Sequence, residues 1–328
     1  DLLDVSDEVD AILVVLSLSS DTRMPFKQAE LKPVLSAQNK PIVFYSYTLP
    51  SHFARTEFAA SGAVVLSGLT HVGVAMRRMV QRAKFRLAPP AAVAALPPPP
   101  DLSAHLKSAT LSEFDSKSLL RDAGIALPDE VLVSNRGELD AAIARAGFPL
   151  VMKIQSRDIP HKSEAGGVRV NIASKGEAFA AYQALLESAG RHRPDAAIQG
   201  VLVGPMAKKG VEIIVGTLLD ATFGPMIMVG LGGITTELFK DVIYRPAPVS
   251  AAEASAMLAA LKAAPLLNGF RGAAKTDIPA LSQLIAQISM LAAQFVTEIS
   301  EIEINPVLAH PQGQGATIVD ALVVRKKG

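Results

Sequence analysis

The chain has 328 residues, a formal net charge of +1, and 49% hydrophobic against 19% charged residues, the composition of a soluble globular protein with room for two or three cores. That charge, with only 5% aromatic residues and no Trp, speaks against nucleic-acid or anionic-membrane partners. Without Cys, disulfides, zinc–thiolate centres and cysteine acyl intermediates are excluded, and a reducing cytoplasm is the expected compartment.

The chain opens Asp1-Leu2-Leu3-Asp4, without the basic start and apolar stretch of a signal peptide. It also lacks an initiator Met, so a piece of something longer is one reading. Strand–helix alternation follows: a strand over Ala11–Leu16, a helix over Phe26–Gln38, a strand over Pro41–Tyr45, a helix over Ser51–Ala60 and a strand over Ala63–Leu66. A helix over Thr70–Phe85 closes it, with Thr70 as N-cap and basic residues in its later turns. This pattern predicts an α/β unit, a small parallel sheet covered on both faces and flavodoxin-like in length. It has no Gly-rich phosphate loop, and scaffold is its expected role. From Ala88 to Pro100, proline and alanine dominate, which predicts a semi-rigid polyproline spacer; an SH3-type ligand is the alternative.

Beyond the spacer the pattern changes. A helix over Ser112–Ala123 ends at Gly124; strand, helix and strand follow over Glu130–Val133, Gly137–Ala146 and Pro149–Ile154. After a loop come a strand over Val168–Ile172, a helix over Lys175–Ala189 and strands over Ile198–Val203, Val211–Thr217 and Met226–Val229. Helices over Ala251–Ala263 and Ile278–Thr297 precede two final strands, Glu301–Val307 and Thr317–Val324. Ile278–Val296 carries no charge, but Leu281, Leu284, Ile288, Leu291 and Phe295 recur every three or four residues. That spacing reads as one buried helix face and not as a membrane span.

Four segments carry chemistry. Lys153 sits inside the apolar run Phe148–Ile154; a buried ammonium needs an anion, while an edge lysine can snorkel to water. His161-Lys162-Ser163-Glu164-Ala165-Gly166-Gly167-Val168 pairs two glycines, whose backbone can approach a ligand closely and whose N–H groups can cradle phosphate, with donors at Lys162 and Ser163. A charged surface loop with a tight turn is the alternative. Gly230-Leu231-Gly232-Gly233-Ile234-Thr235-Thr236-Glu237 follows a strand but matches neither the dinucleotide nor the Walker pattern, and a plain tight turn would account for it. In Glu301-Ile302-Glu303-Ile304-Asn305-Pro306 the residues two apart share a face, so Glu301, Glu303 and Asn305 point one way. Hard oxygen donors suit Mg²⁺; a solvated strand face is the alternative.

Taken in order, Lys153, the His161–Val168 loop, Glu212 in Gly210–Gly216, Phe223–Ile234 and Glu303–Pro306 resemble the ATP-grasp part of ADP-forming acyl-CoA synthetases and are similar to the succinyl-CoA synthetase β chain. Asn268-Gly269-Phe270-Arg271-Gly272 followed by Asp277 belongs to the same resemblance, which spans roughly Leu111 to Val324; residues 1–87 resemble the last flavodoxin-like piece of that family's CoA-ligase region. The resemblance implies a small flavodoxin-like domain over 1–87, a Pro/Ala-rich linker over 88–104 and a two-lobed ATP-grasp domain over 105–328. It implies ATP or ADP and Mg²⁺ as cofactors, with Lys153, Lys162, Ser163, Gly166, Gly167 and Arg271 in the nucleotide set. Val203 in the hinge 201–204 would sit at adenine, Glu212 toward the ribose, and Glu303 and Asn305 would hold Mg²⁺. His161 would receive a phosphoryl group, while Gly232, Gly233 and Glu237 would face the acyl-phosphate side.

The implied reaction is acyl-CoA + ADP + Pi ⇌ acid + CoA + ATP, with Lys153, His161 and Glu237 as catalytic residues. CoA and the carboxylic acid would come through upstream or partner CoA-binding domains, in an oligomer. The residues leave two other readings open: an ATP-grasp ligase that makes acyl phosphate directly, with no need of His161, and a nucleotide-binding module without catalysis.

Overall fold

The computed structural model describes residues 2–22, 26–87, 96–106, 111–159, 162–233 and 241–326. The chain divides into two compact units, Asp1–Ala94 and Ala95–Gly328.

The first unit runs α1 (Leu2–Val5), β1 (Ile12–Leu16), α2 (Gln28–Ala37), β2 (Ile42–Ser46), α3 (His52–Ala60), β3 (Val65–Leu66) and α4 (Leu69–Leu87). Its three strands are parallel, in the order β1-β2-β3. Phe44 of β2 and Phe58 of α3 meet edge to face, 5.1 Å between ring centroids, and anchor a core with Leu18, Leu31 and Ala54. Ser51 caps α3 by accepting the Ala54 N–H at 3.1 Å, satisfying one of the donors a helix start leaves open. Two expectations are corrected here. Helix α4 begins at Leu69, so Thr70 lies inside its first turn and not at the cap. The sheet is not covered on both faces along β1, where Leu13 and Val15 alternate outward and are exposed. Among the described residues β1 pairs only with β2, and an edge strand is where a parallel sheet first loses its cover.

The second unit contains α5 (Glu113–Asp122), β4 (Val131–Val133), α6 (Leu139–Ala146), β5 (Leu150–Ser156), β6 (Val168–Ile172) and α7 (Lys175–His192). It continues with β7 (Ile198–Pro205), β8 (Val211–Asp220), β9 (Gly224–Leu231), β10 (Val242–Pro246), α8 (Ala251–Ala260), α9 (Ala264–Leu267) and α10 (Ile278–Gln294), and ends in β11 (Ile299–Ala309), β12 (Ala316–Ile318) and β13 (Ala321–Arg325). Two antiparallel sheets result. A four-stranded sheet, order β4-β7-β5-β6, packs α6 and α7 over a core of Leu139, Leu150, Met152, Ile154, Leu185 and Val203. A six-stranded sheet, order β10-β9-β8-β11-β12 with β13 also on β11, packs α8 and α10 over the larger core. Helix α10 buries Leu281, Leu284, Ile285, Ile288 and Leu291, the face its spacing predicted. No helix among the described residues is long and apolar enough to cross a membrane.

The segment read as one strand over Thr317–Val324 is two. Both β12 and β13 run antiparallel to β11, on Val307–Ala309 and Ile299–Ile304 respectively. Between them lies Pro306, which has no N–H to donate and so interrupts the ladder. Val319 and Asp320 step out at that point, held by Val319 N–H to the Pro306 carbonyl and by Asn305 N–H to the Asp320 carbonyl. Strand β10 was not expected; it is a short edge on β9, half exposed and ended by Pro246. The two faces of β11 divide labour, with Ile302 and Ile304 fully buried and Glu303 and Asn305 on the open side. Ile304→Ala should therefore lower the unfolding free energy by about 2–5 kcal/mol, whereas Glu303→Gln should stay within about 0.5 kcal/mol. Urea titration followed by circular dichroism separates the two.

Candidate functional site

Helix α5 opens with a reciprocal cap: Ser112 Oγ accepts the Asp115 N–H at 3.2 Å, and Asp115 Oδ2 accepts the Ser112 N–H at 3.5 Å. This fixes Glu113 in the first turn and Lys117 one turn later on the same face. Both are buried, at 4% and 2% exposure. A buried charge must be paired, and the pairing here is dense. Glu113 Oε1 lies 2.8 Å from Lys117 Nζ and 2.6 Å from Lys153 Nζ, and Oε2 lies 3.2 Å from Lys162 Nζ. Gln155, two residues from Lys153 on the same face of β5, donates to Oε2 at 3.2 Å and accepts the Phe114 N–H at 3.0 Å. Lys117 also reaches both Glu130 oxygens at 2.8 and 2.9 Å. Lys117 and Lys153 both donate to the Val319 carbonyl, at 2.8 and 2.6 Å. Lys162 lies 3.2 Å from Asp320 Oδ2.

Three lysines thus face three carboxylates across elements of both sheets. Burial alone would raise the Glu113 carboxyl, but Lys153, Lys117 and Lys162 outweigh it and hold that carboxyl well below the usual carboxylate range. Burial alone would lower Lys153; Glu113, Asp320 and Glu130 reverse this and leave its ammonium raised. Lys153 is therefore a buried, paired cation and does not snorkel. Gly204, at the end of β7, packs on Glu130: a Cβ there would stand 2.6 Å from Glu130 Cγ.

Beside this cluster lies a cleft of about 360 Å³ lined by Glu113, Arg157, Lys162, Ser163, Glu303, Asn305 and Asp320, among others. Asp115 and Arg157 form an ion pair at its rim, 2.8 Å. Asn305 Nδ2 lies 3.5 Å from Glu303 Oε1. Among the described residues no group of three His, Cys, Asp or Glu is assembled to cage a metal. Glu303, Asp320 and Asn305, which line this cleft, carry the hard oxygen donors that Mg²⁺ accepts while it shares the rest of its shell with phosphates and water. A second cleft, about 580 Å³, flanks the Pro205–Lys208 segment and reaches Pro128, His310, Gln314 and Thr317.

Of the residues singled out from sequence, Lys162, Ser163, Glu303 and Asn305 line the first cleft, while Lys153 does not line it but pairs with Glu113, which does. Glu301 is exposed and outside its lining. Gly166 and Gly167 close the turn and present no free cradle: their N–H groups donate to the Ser163 and Lys162 carbonyls at 3.1 and 2.7 Å, and a Cβ on Gly167 would collide with Ile154. Glu212 forms a second group with the Gly-rich turn, its carbonyl accepting the Gly232 N–H at 2.7 Å and its carboxylate lying where a Gly233 Cβ would stand. Its strand β8 also carries Gly216, which pairs with Glu303, so Glu212 and Glu303 share the open face. Val203 is fully buried, its side chain in the core and its strand paired on both sides. Arg271 stacks on Phe270, 5.3 Å from the ring, and is exposed; it lines neither cleft. His161 and Glu237 lie outside the described residues. Glu113, Lys117, Glu130 and Asp320 were not anticipated. The signal for the first two was a Glu–Lys pair four apart just after a Ser cap, which in sequence looks like an ordinary exposed helix pair.

The ATP-grasp domain model matches residues 104–324. The chain belongs to the ATP-grasp family. Within it, the chain is 38% identical over 214 residues to the β subunit of acetate–CoA ligase [ADP-forming] II from Pyrococcus furiosus, covering 65% of this chain and 91% of that one. It is 41% identical over 217 residues to 4-hydroxybutyrate–CoA ligase [ADP-forming] from Nitrosopumilus maritimus, where the match covers 66% of this chain but spans only 31% of the relative. Among solved structures it is similar to the dinucleotide-forming acetyl-coenzyme A synthetase 1 of Ca. Korarchaeum cryptofilum in complex with coenzyme A and Mg-AMPPCP, its phosphohistidine segment pointing towards the nucleotide-binding site. There the TM-score is 0.58 and the identity 36%, over 66% of this chain and 93% of that one.

The Glu113 carboxyl makes an acid-side prediction. Because its folded-state pKa is depressed, its stabilisation is present above the unfolded value of about 4.3 and is lost as pH falls from there toward the folded value. Glu113→Gln should be less stable at neutral pH. Below about pH 4 its unfolding free energy should fall less steeply than that of the wild type, by up to about 1.4 kcal/mol per pH unit. Denaturant titrations at successive pH values measure both; parallel curves would contradict the ion cluster.

Proposed function

We propose that this chain is the nucleotide-binding, phosphoryl-transferring part of an ADP-forming acyl-CoA ligase, an ATP-grasp unit over 105–328 joined through a Pro-rich linker to a flavodoxin-like unit. The observation that carries this reading is the convergence of Lys162 with Glu303, Asn305 and Asp320 on one cleft, where Glu113 of the lining also holds the buried Lys153, cations for phosphate beside oxygens for a divalent ion. The relatives named above, an acetate–CoA ligase β subunit and a 4-hydroxybutyrate–CoA ligase, support it.

In this reading ATP or ADP lies with its phosphates at Lys153 and Lys162 and its base toward the segment from Val203 to Lys208, with Glu212 on the ribose side. Mg²⁺, held by Glu303, Asn305 and Asp320, would neutralise phosphate charge and orient the transferring group. Ser163 supplies a hydroxyl donor at the edge of the cleft. His161, which immediately precedes Lys162, acts as nucleophile: a neutral imidazole nitrogen forms the N–P bond while the bond from the γ-phosphorus to the β–γ bridging oxygen breaks, releasing ADP. The reverse step rebuilds ATP. Thioester chemistry falls to CoA-binding domains, on the same chain or a partner, in an oligomeric cytoplasmic enzyme, and in this reading Gly232, Gly233 and Glu237 would serve the acyl-phosphate step.

Incubation with γ-labelled ATP and Mg²⁺ should leave acid-labile, base-stable label on the chain. His161→Ala should abolish the label with nucleotide affinity kept within about twofold, since the histidine serves transfer and not binding. Lys153→Ala and Glu303→Ala should each weaken Mg–nucleotide binding by tenfold or more, the order of one lost charge-assisted contact, about 1.5–3 kcal/mol. Full labelling of His161→Ala, or unchanged affinity in both cleft variants, would remove the assignment. Nucleotide binding without label on either form would favour a direct acyl-phosphate ligase or a binding module.

A further inference from the structure

The buried cluster is already electrically complete. Lys117, Lys153 and Lys162 are matched by Glu113, Glu130 and Asp320. A nucleotide phosphate entering beside it adds negative charge to a neutral group and must draw Lys153 and Lys162 away from Glu113, leaving that buried carboxylate with Lys117 alone. Taking two of three cations from a buried carboxylate is penalised.

The members do not hold their partners equally. Lys117 is locked by both Glu130 oxygens, by Glu113 and by the Val319 carbonyl, all within 2.9 Å. Lys162 has the longest contacts, 3.2 Å to Glu113 and 3.2 and 3.4 Å to the two Asp320 oxygens, and is the most exposed of the three. Asp320 also lines the cleft with Glu303 and Asn305. A divalent ion that draws Asp320 toward those two residues therefore takes one of the two anions from Lys162. Only Glu113 then stands between the lysines and an incoming phosphate.

We propose that Glu113 is a positioning residue that acts as an internal counter-anion: it keeps Lys153 and Lys162 occupied, so the cleft refuses metal-free nucleotide and accepts the metal complex. The proposal rests on the nucleotide reading given above. It differs from a merely structural role, in which removing the carboxylate would weaken binding with and without metal alike.

Calorimetry of the full chain with ATP, once in EDTA and once in excess Mg²⁺, tests this. The wild type should bind ATP far more tightly with Mg²⁺. Glu113→Gln should bind metal-free ATP about tenfold more tightly than the wild type does, the order of one charge-assisted contact no longer competed for, and the ratio of the two affinities should shrink accordingly. Near-ultraviolet circular dichroism establishes that the variant is folded. If it is not, Glu113→Asp carries the test: it keeps the buried charge but withdraws it by one methylene, and a smaller change of the same sign is expected. Metal-free affinity unchanged or weakened in the folded variant, with the ratio kept, would overturn the proposal. Absence of Mg–ATP binding by the wild type would instead overturn the nucleotide reading itself.

Discussion

The second unit is organised around a charge that cannot be left alone. Glu113 is buried, and its carboxylate draws Lys117 from its own helix, Lys153 from β5 and Lys162 from the turn before β6. Two of these lysines then hold the Val319 carbonyl between β12 and β13. Elements of both sheets thus meet at one point through ionic contacts and charge-assisted hydrogen bonds, beside the separate apolar cores that sit behind each sheet. Breaking a buried pair of this kind costs about 3–5 kcal/mol, a large part of the roughly 5–15 kcal/mol that keeps a domain folded. The lining of the cleft and the meeting point of the two sheets therefore share members of one buried cluster, Glu113, Lys162 and Asp320.

Much of the scaffold was legible in the sequence because it is local. Period and punctuation placed the strand–helix alternation of the first unit, the buried face of α10 and the two-faced strand β11. The failures have local causes as well. Pro306 breaks a ladder across the sheet, so the division of β12 from β13 is written in a residue ten positions before Ala316. Strand β10 is an edge with half its residues open, and its alternation is too short to stand out.

The cleft was half legible. Lys153 and Glu303 are unusual in their own segments, a lysine in an apolar strand and a carboxylate opposite buried isoleucines, and oddness of that kind can be seen without a partner. Glu113 and Lys117 look ordinary, because a helical Glu–Lys pair is most often a solvated one. Their burial is decided by Lys153, forty residues on, and by Val319, some two hundred on. The paired glycines show the opposite error: they look like a phosphate cradle, but their N–H groups are already spent within the turn.

Gly204 has a consequence for how this sequence can vary. It lies at the end of β7, and Glu130 crosses it so closely that no side chain fits between them. Glu130 is in turn the bidentate partner of Lys117. A substitution at position 204 would thus be felt first as a displaced carboxylate and an under-neutralised lysine, well before any change in strand geometry. Positions 130, 117 and 204 are therefore physically coupled: a side chain at 204 fits only if Glu130, and with it Lys117, gives way.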